Sequence, residues 1–173
     1  MKKAIAILLV LLVAGVAFGA AEASLQVSSS VTPLTGLKIS QVSAISDWET
    51  AGIATLTTPL TGVPVTDLFV NLRTNKKTSF TINIDAPDLT NTDTSISYSI
   101  PYTVAATAGD GTAADAVASG TVDQLLVSFD GDTGTGMRIL SHGFTIDVDD
   151  TAYGAAVEGT YNTTIVFDIV VGS

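Results

Sequence analysis

The chain has no cysteine, a single histidine and a single tryptophan, and only seven Lys+Arg among its 173 residues. Without cysteine it builds no disulfide framework, thiolate zinc site or iron–sulfur centre. With seven basic residues against 17 acidic ones and a net charge of -10, it lacks the basic footprint that phosphate binding needs, so nucleic acid is excluded as a partner. Aromatic residues are scarce at 6%, yet 46% of the chain is hydrophobic, which argues against disorder and leaves room for one domain with a real core.

What is present begins with an export signal. Met1-Lys2-Lys3 is followed by an apolar run from Ala4 through Phe18, and Ala21-Glu22-Ala23 supplies small residues at a peptidase site. A charged start, an apolar stretch and an A-x-A exit form a secretory signal peptide. Residues 1–23 are therefore expected to be removed, leaving residues 24–173 as one exported domain in the periplasm, at the cell surface or outside the cell. Loss of Lys2, Lys3 and Glu22 moves the charge from -10 to -11. No later stretch is long and apolar enough for a membrane span.

Period-two alternation dominates that domain. Tyr161, Thr163, Ile165, Phe167, Ile169 and Val171 share one face of a long closing strand. Phe80, Ile82 and Ile84 alternate with polar residues, as do Ile96, Tyr98, Ile100 and Tyr102. Leu125, Val127 and Phe129 form a further row, as do Phe144, Ile146 and Val148, and Leu68, Val70 and Leu72. Gly, Asp and Pro turns separate these runs at spacings too short for crossover helices. The expectation is an all-β, antiparallel immunoglobulin-like β-sandwich of about nine strands. Residues 105–120, rich in Ala, Gly, Thr and Asp, read as a long surface loop, and Asp149-Asp150 as a turn.

Enzymatic chemistry finds little footing. Ser141 and His142 are adjacent on a strand, so their side chains point to opposite faces and cannot form a nucleophile–base pair. Asp147 and Asp149 share a face, but acids at a strand end are ordinarily solvated. The chain is expected not to be an enzyme, with no cofactor unless calcium binds. Asp130 and Asp132 offer two hard carboxylates across Gly131, a candidate Ca²⁺ site, although Asp-Gly is also ordinary turn chemistry. Arg73, Lys76 and Lys77 gather in one turn that is expected to be solvated, or to meet an acidic patch on a neighbouring copy or a polyanion. Trp48, flanked by Asp47 and Glu49, is a candidate for stacking on a sugar ring, or for packing. Asn162-Thr163-Thr164 fits a glycosylation sequon but lies inside the closing strand.

The phrase Glu158-Gly159-Thr160-Tyr161-Asn162-Thr163-Thr164-Ile165-Val166-Phe167-Asp168-Ile169 resembles the closing strand of bacterial fimbrial or spore-coat-U-like secreted β-sandwich subunits. Ser24 to Pro33 is similar to the N-terminal extension and first strand of such subunits, and Ser97 to Tyr102 to a mid-domain segment. The disulfide common in such pilins is missing here. The resemblance implies a structural or adhesive cell-surface subunit whose partners are further copies or another surface subunit. It also implies polymerisation by β-strand addition, with Leu25, Val27 and Val31 filling a neighbour's groove. In the alternative, this segment is the first strand of its own sandwich. A secreted carbohydrate-binding module is the second functional expectation.

Overall fold

A computed structural model describes residues 34–45, 47–48, 64–93, 95–131 and 136–172. The described chain is mostly antiparallel β. Its strands are β1 (Thr35–Ser40), β2 (Val65–Thr74), β3 (Phe80–Ala86), β4 (Leu89–Asn91), β5 (Ser99–Ile100), β6 (Tyr102–Gly109), β7 (Thr112–Ala113) and β8 (Val117–Ala118). β9 (Thr121–Phe129), β10 (Arg138–Val148), a short helix α1 (Asp150–Ala155), β11 (Tyr161–Asn162) and β12 (Val166–Val171) follow. They form a five-stranded sheet β1-β2-β10-β6-β8, a four-stranded sheet β12-β3-β9-β7 and a small third sheet β11-β4-β5. The all-β, sandwich-like expectation holds. Among the described residues the strands number twelve rather than about nine, and four of them are only two residues long.

The chain repeatedly crosses between the two larger sheets. Residues 75–79 carry β2 to β3, residues 110–111 carry β6 to β7, and Ser119-Gly120 carries β8 to β9. Gly111 is needed for its crossing: its φ is +84°, and a Cβ there would stand 2.4 Å from the Ser128 carbonyl oxygen. Residues facing inward from both sheets meet in one cluster. Leu68, Val70, Leu72 and Phe144 come from one sheet, and Phe80, Ile82, Ile84, Leu126, Val127 and Phe129 from the other. Burying an aliphatic or aromatic side chain of this kind contributes about 1.5–3 kcal/mol. With no disulfide available, this burial and the strand ladders hold the fold.

Five local expectations are corrected. Residues 105–120 are not a loop, since β6 runs to Gly109 and β7 and β8 follow, although most of the segment is exposed. The closing strand divides: Tyr161 pairs with Asn91 in the small sheet, and from Val166 onward the chain pairs with β3 instead. Its predicted buried face is only half-buried. Leu125 leaves the core row and Leu126 takes its place, because the β3–β9 register slips between Ile82 and Asn83 and reverses the facing order. Asp149 opens a helix, not a turn: its Oδ1 accepts from the Ala152 amide at 2.7 Å, an N-cap for α1. The predicted run from Ile96 to Tyr102 also breaks at Pro101, which has no N–H for a ladder, so Ile100 and Tyr102 join different sheets.

Two aspartates hold left-handed backbone at the irregular points of the ladders, Asp67 with φ 57° and Asp123 with φ 52°. Asp123 is fixed from both sides. Its amide donates to Asp85 Oδ1 at 2.6 Å, and its Oδ1 accepts from Asn83 Nδ2 at 2.7 Å.

Candidate functional site

Among the described residues the core is fully covered at its centre and only partly covered along β1 and β12. Across the β3–β12 ladder, Ile84 faces Phe167, Ile82 faces Ile169 and Phe80 faces Val171. All three β3 members have 0% exposure, whereas Phe167 and Ile169 are half-buried and Val171 is 43% exposed. The same asymmetry recurs across β1–β2. Leu72 and Val70 are fully buried, and their partners Leu37 and Ile39 are half-buried. Phe167 still reaches the core, with its ring centroid 5.4 Å from that of Phe144. Among the described residues β12 pairs only with β3 and β1 only with β2. A strand with one unpaired edge and a half-covered apolar face is a template for another strand. The outer face of β12 adds Val166 at 44% and Val170 at 47% exposure.

Trp48 sits beside this side, against β1. Gly36 leaves it room: a Cβ at that position would come within 3.3 Å of Trp48 Cζ2. Gly36 lies opposite Arg73 in the ladder, and the Arg73 guanidinium stands 5.1 Å from the centre of the indole. Lys38 Nζ is 5.7 Å from the same ring and donates to the Trp48 carbonyl oxygen. Cations over an indole face are attracted by its quadrupole. The ring is therefore engaged by its own chain, and half-buried.

The other sequence-derived candidates fall apart from one another. Leu25, Val27 and Val31 lie outside the described residues, as does Asp132. Asp130 is exposed, and its backbone carbonyl accepts from Arg138 Nη1 at 3.2 Å. No group of three acidic or histidine side chains converges among the described residues. Ser141 and His142 do point to opposite faces of β10, across from Asn71 and Val70 respectively. His142 is 3% exposed, and its Nδ1 lies 2.7 Å from the Asp110 carbonyl oxygen, which fixes that nitrogen as the donor. Its Nε2 is buried without a hydrogen-bond partner. Asn71, on the outward face, is nonetheless fully buried and donates to Ser40 Oγ at 2.9 Å.

Sequence reasoning missed a shallow depression of about 260 Å³ where β6, β8 and the end of β10 meet. Tyr102, Ser119, Asp147 and Asp149 are among the residues lining it. Ser119 Oγ donates to Asp88 Oδ1 and accepts from the Tyr102 amide at 3.0 Å. The Tyr102 hydroxyl is buried and unpartnered. Burial, with the nearby Asp88 charge adding to it, pushes this hydroxyl up to about 12. The Thr163 hydroxyl, which donates to the Pro87 carbonyl oxygen at 2.9 Å, opposes that shift without cancelling it. The serine–aspartate contact could not be foreseen from spacing, since 31 residues separate Asp88 from Ser119.

No described helix is long and apolar enough to cross a membrane. Comparison with protein-family models, with curated proteins and with solved structures finds no significant match.

Proposed function

We propose that the chain is an exported, non-enzymatic structural or adhesive subunit of the cell surface, which joins to further copies by β-strand addition. The observation that carries this reading is the open side. Phe167, Ile169, Leu37 and Ile39 face the core yet stay half-exposed, while their ladder partners are wholly buried. An added strand would complete the ladder and cover that apolar row, with main-chain bonds giving affinity and alternate side chains giving register. Leu25, Val27 and Val31, which alternate ahead of β1, have the pattern such a strand needs.

The carbohydrate-binding alternative gains no comparable support. Its stacking residue, Trp48, is packed against Gly36 and attended by Arg73 and Lys38.

Electron microscopy and size-exclusion chromatography of the exported protein test the proposal. The expected result is filaments or ladders of copies. Deletion of residues 24–31 should abolish them and leave the melting transition of the monomer in place. A strictly monomeric wild-type protein overturns the proposal. So does a deletion variant that assembles as before, or one whose monomer no longer folds, since the segment would then belong to its own sandwich.

A further inference from the structure

The strands sort charge by their direction. At the end of the sandwich where Thr74 pairs with Arg138 and Phe80 with Phe129, the 75–79 turn carries Lys76 and Lys77, with Arg73 just behind. Lys38 and Arg138 also lie toward this end, so every basic residue beyond Lys3 is gathered there, five in all, against Asp47, Asp110 and Asp130 among the described acids. At the opposite end, β2 begins near Ile146, β3 ends at Ala86 opposite Thr121, and β10 runs into α1. Asp85, Asp88, Asp123, Asp147, Asp149 and Asp150 collect there, with no lysine or arginine among them. None of the six carboxylates forms an ion pair within the described chain, and neither do Lys76 and Lys77. The four at positions 123, 147, 149 and 150 are exposed.

The two ends cannot satisfy each other within one molecule. β2 alone spans ten residues, so they stand about 30 Å apart, against a screening length of about 8 Å at physiological salt. They can satisfy each other between molecules. A positive surface and a negative surface on opposite ends of one chain make a heterologous, head-to-tail contact, which propagates as a row instead of closing as a dimer.

We propose that copies of this chain associate end to end along the strand direction, the Lys76/Lys77 turn of one docking against the Asp147/Asp149/Asp150 end of the next. The contact uses strand ends, not strand edges. It is therefore separate from strand addition, with which it shares only the direction of a growing fibre. Charge complementarity steers encounter and fixes polarity, and like ends repel. The partner is a second copy because this chain carries both halves of the match.

The test is analytical ultracentrifugation of the exported protein between about 10 and about 150 mM salt, a range over which the screening length falls from about 30 Å to about 8 Å. Strand-added copies are held by main-chain bonds and do not come apart in salt, so salt-reversible association reports the end contact alone. Two charge reversals at exposed or half-exposed positions complete the design, Lys76→Glu with Lys77→Glu, and Asp147→Lys with Asp150→Lys. The wild type should associate reversibly at low salt and lose that association at least about tenfold at the higher salt. Each double variant should show none: the first loses the docking lysines, and the second sets two lysines beside Asp149 where they would dock. An equimolar mixture of the two variants should associate again, because each then presents the end the other lacks. Circular dichroism melting confirms that both variants are folded. The inference is overturned if the wild type shows no salt-reversible association, if either reversal leaves it intact, or if the mixture behaves as its components do. Binding of polyphosphate by the lysine end without self-association would equally overturn it, by making the partner a polyanion.

Discussion

Strands β3 and β12 lie side by side, pair residue for residue, and present the same kinds of side chain to the same core. Ile82 faces Ile169 directly, yet Ile82 has 0% exposure and Ile169 is only half-buried. Nothing in their chemistry separates them. Position in the sheet does, because β3 is covered by β9 on one side and β12 on the other, and β12 has one neighbour among the described residues. Identical hydrophobic alternation thus encodes a load-carrying centre in one strand and an incompletely covered margin in the other. The largest expected effect follows directly. Ile82→Ala removes fully buried methyl groups and leaves a cavity, and should cost about 3–5 kcal/mol in denaturant unfolding. Ile169→Ala should cost about 1 kcal/mol, since part of its surface is already wet. Equal losses in the two variants would mean that the β12 side is closed as firmly as the centre.

Much of this architecture was legible as alternation. Leu68, Val70 and Leu72 face inward as their spacing requires, as do Phe80, Ile82 and Ile84. Alternation names two faces but not which strand lies beside which, so it could not distinguish a central row from a marginal one. It also fails wherever a register slips. Leu125 and Leu126 exchange roles because of one irregularity opposite Ile82 and Asn83, which depends on a partner strand more than 40 residues away in sequence. Of the site candidates, the opposed faces of Ser141 and His142 followed from local geometry. The setting of Trp48 did not, because it depends on the absent side chain of Gly36 and on Arg73 brought across the ladder. Charge polarity escaped the sequence for the same reason. The basic and acidic residues separate only once the strands are laid antiparallel.

The contrast between centre and margin extends to the tyrosines. Tyr102, opening β6 in the middle of its sheet, is 3% exposed with a hydroxyl that finds no partner, whereas Tyr161 in short β11 is half-buried and donates to the Val157 carbonyl oxygen at 3.0 Å. A folded-state value of about 12 for Tyr102, against 10.0 in the unfolded chain, has a definite sign. The folded protein holds this proton more tightly, so its contribution is fully present below about pH 10 and is lost as pH rises through about 12. The expected loss is at most about 3 kcal/mol across that window. Tyr102→Phe should flatten this part of the alkaline stability curve and remove a late phase from the ultraviolet tyrosine titration. A curve with the same slope in both proteins would place the alkaline sensitivity elsewhere.

The smallest effect on stability should come from the margin itself, and it is the most informative about what the margin is for. Val170 lies on the outer face of β12, 47% exposed and opposite Thr81, where a side chain makes few contacts that folding depends on. Val170→Lys should therefore change unfolding free energy by no more than about 0.5 kcal/mol. Placing a lysine on an edge strand is also how natural sheets discourage further strands from pairing. If the open side receives a strand from another copy, this substitution should shorten or abolish filaments seen by electron microscopy while the melting temperature stays where it was. If filaments persist at wild-type length, strand addition does not use β12, and the seam beside β1 becomes the surface to alter. A large drop in stability would instead mean that Val170 is covered in the native protein, and the distinction between β3 and β12 would narrow to that extent.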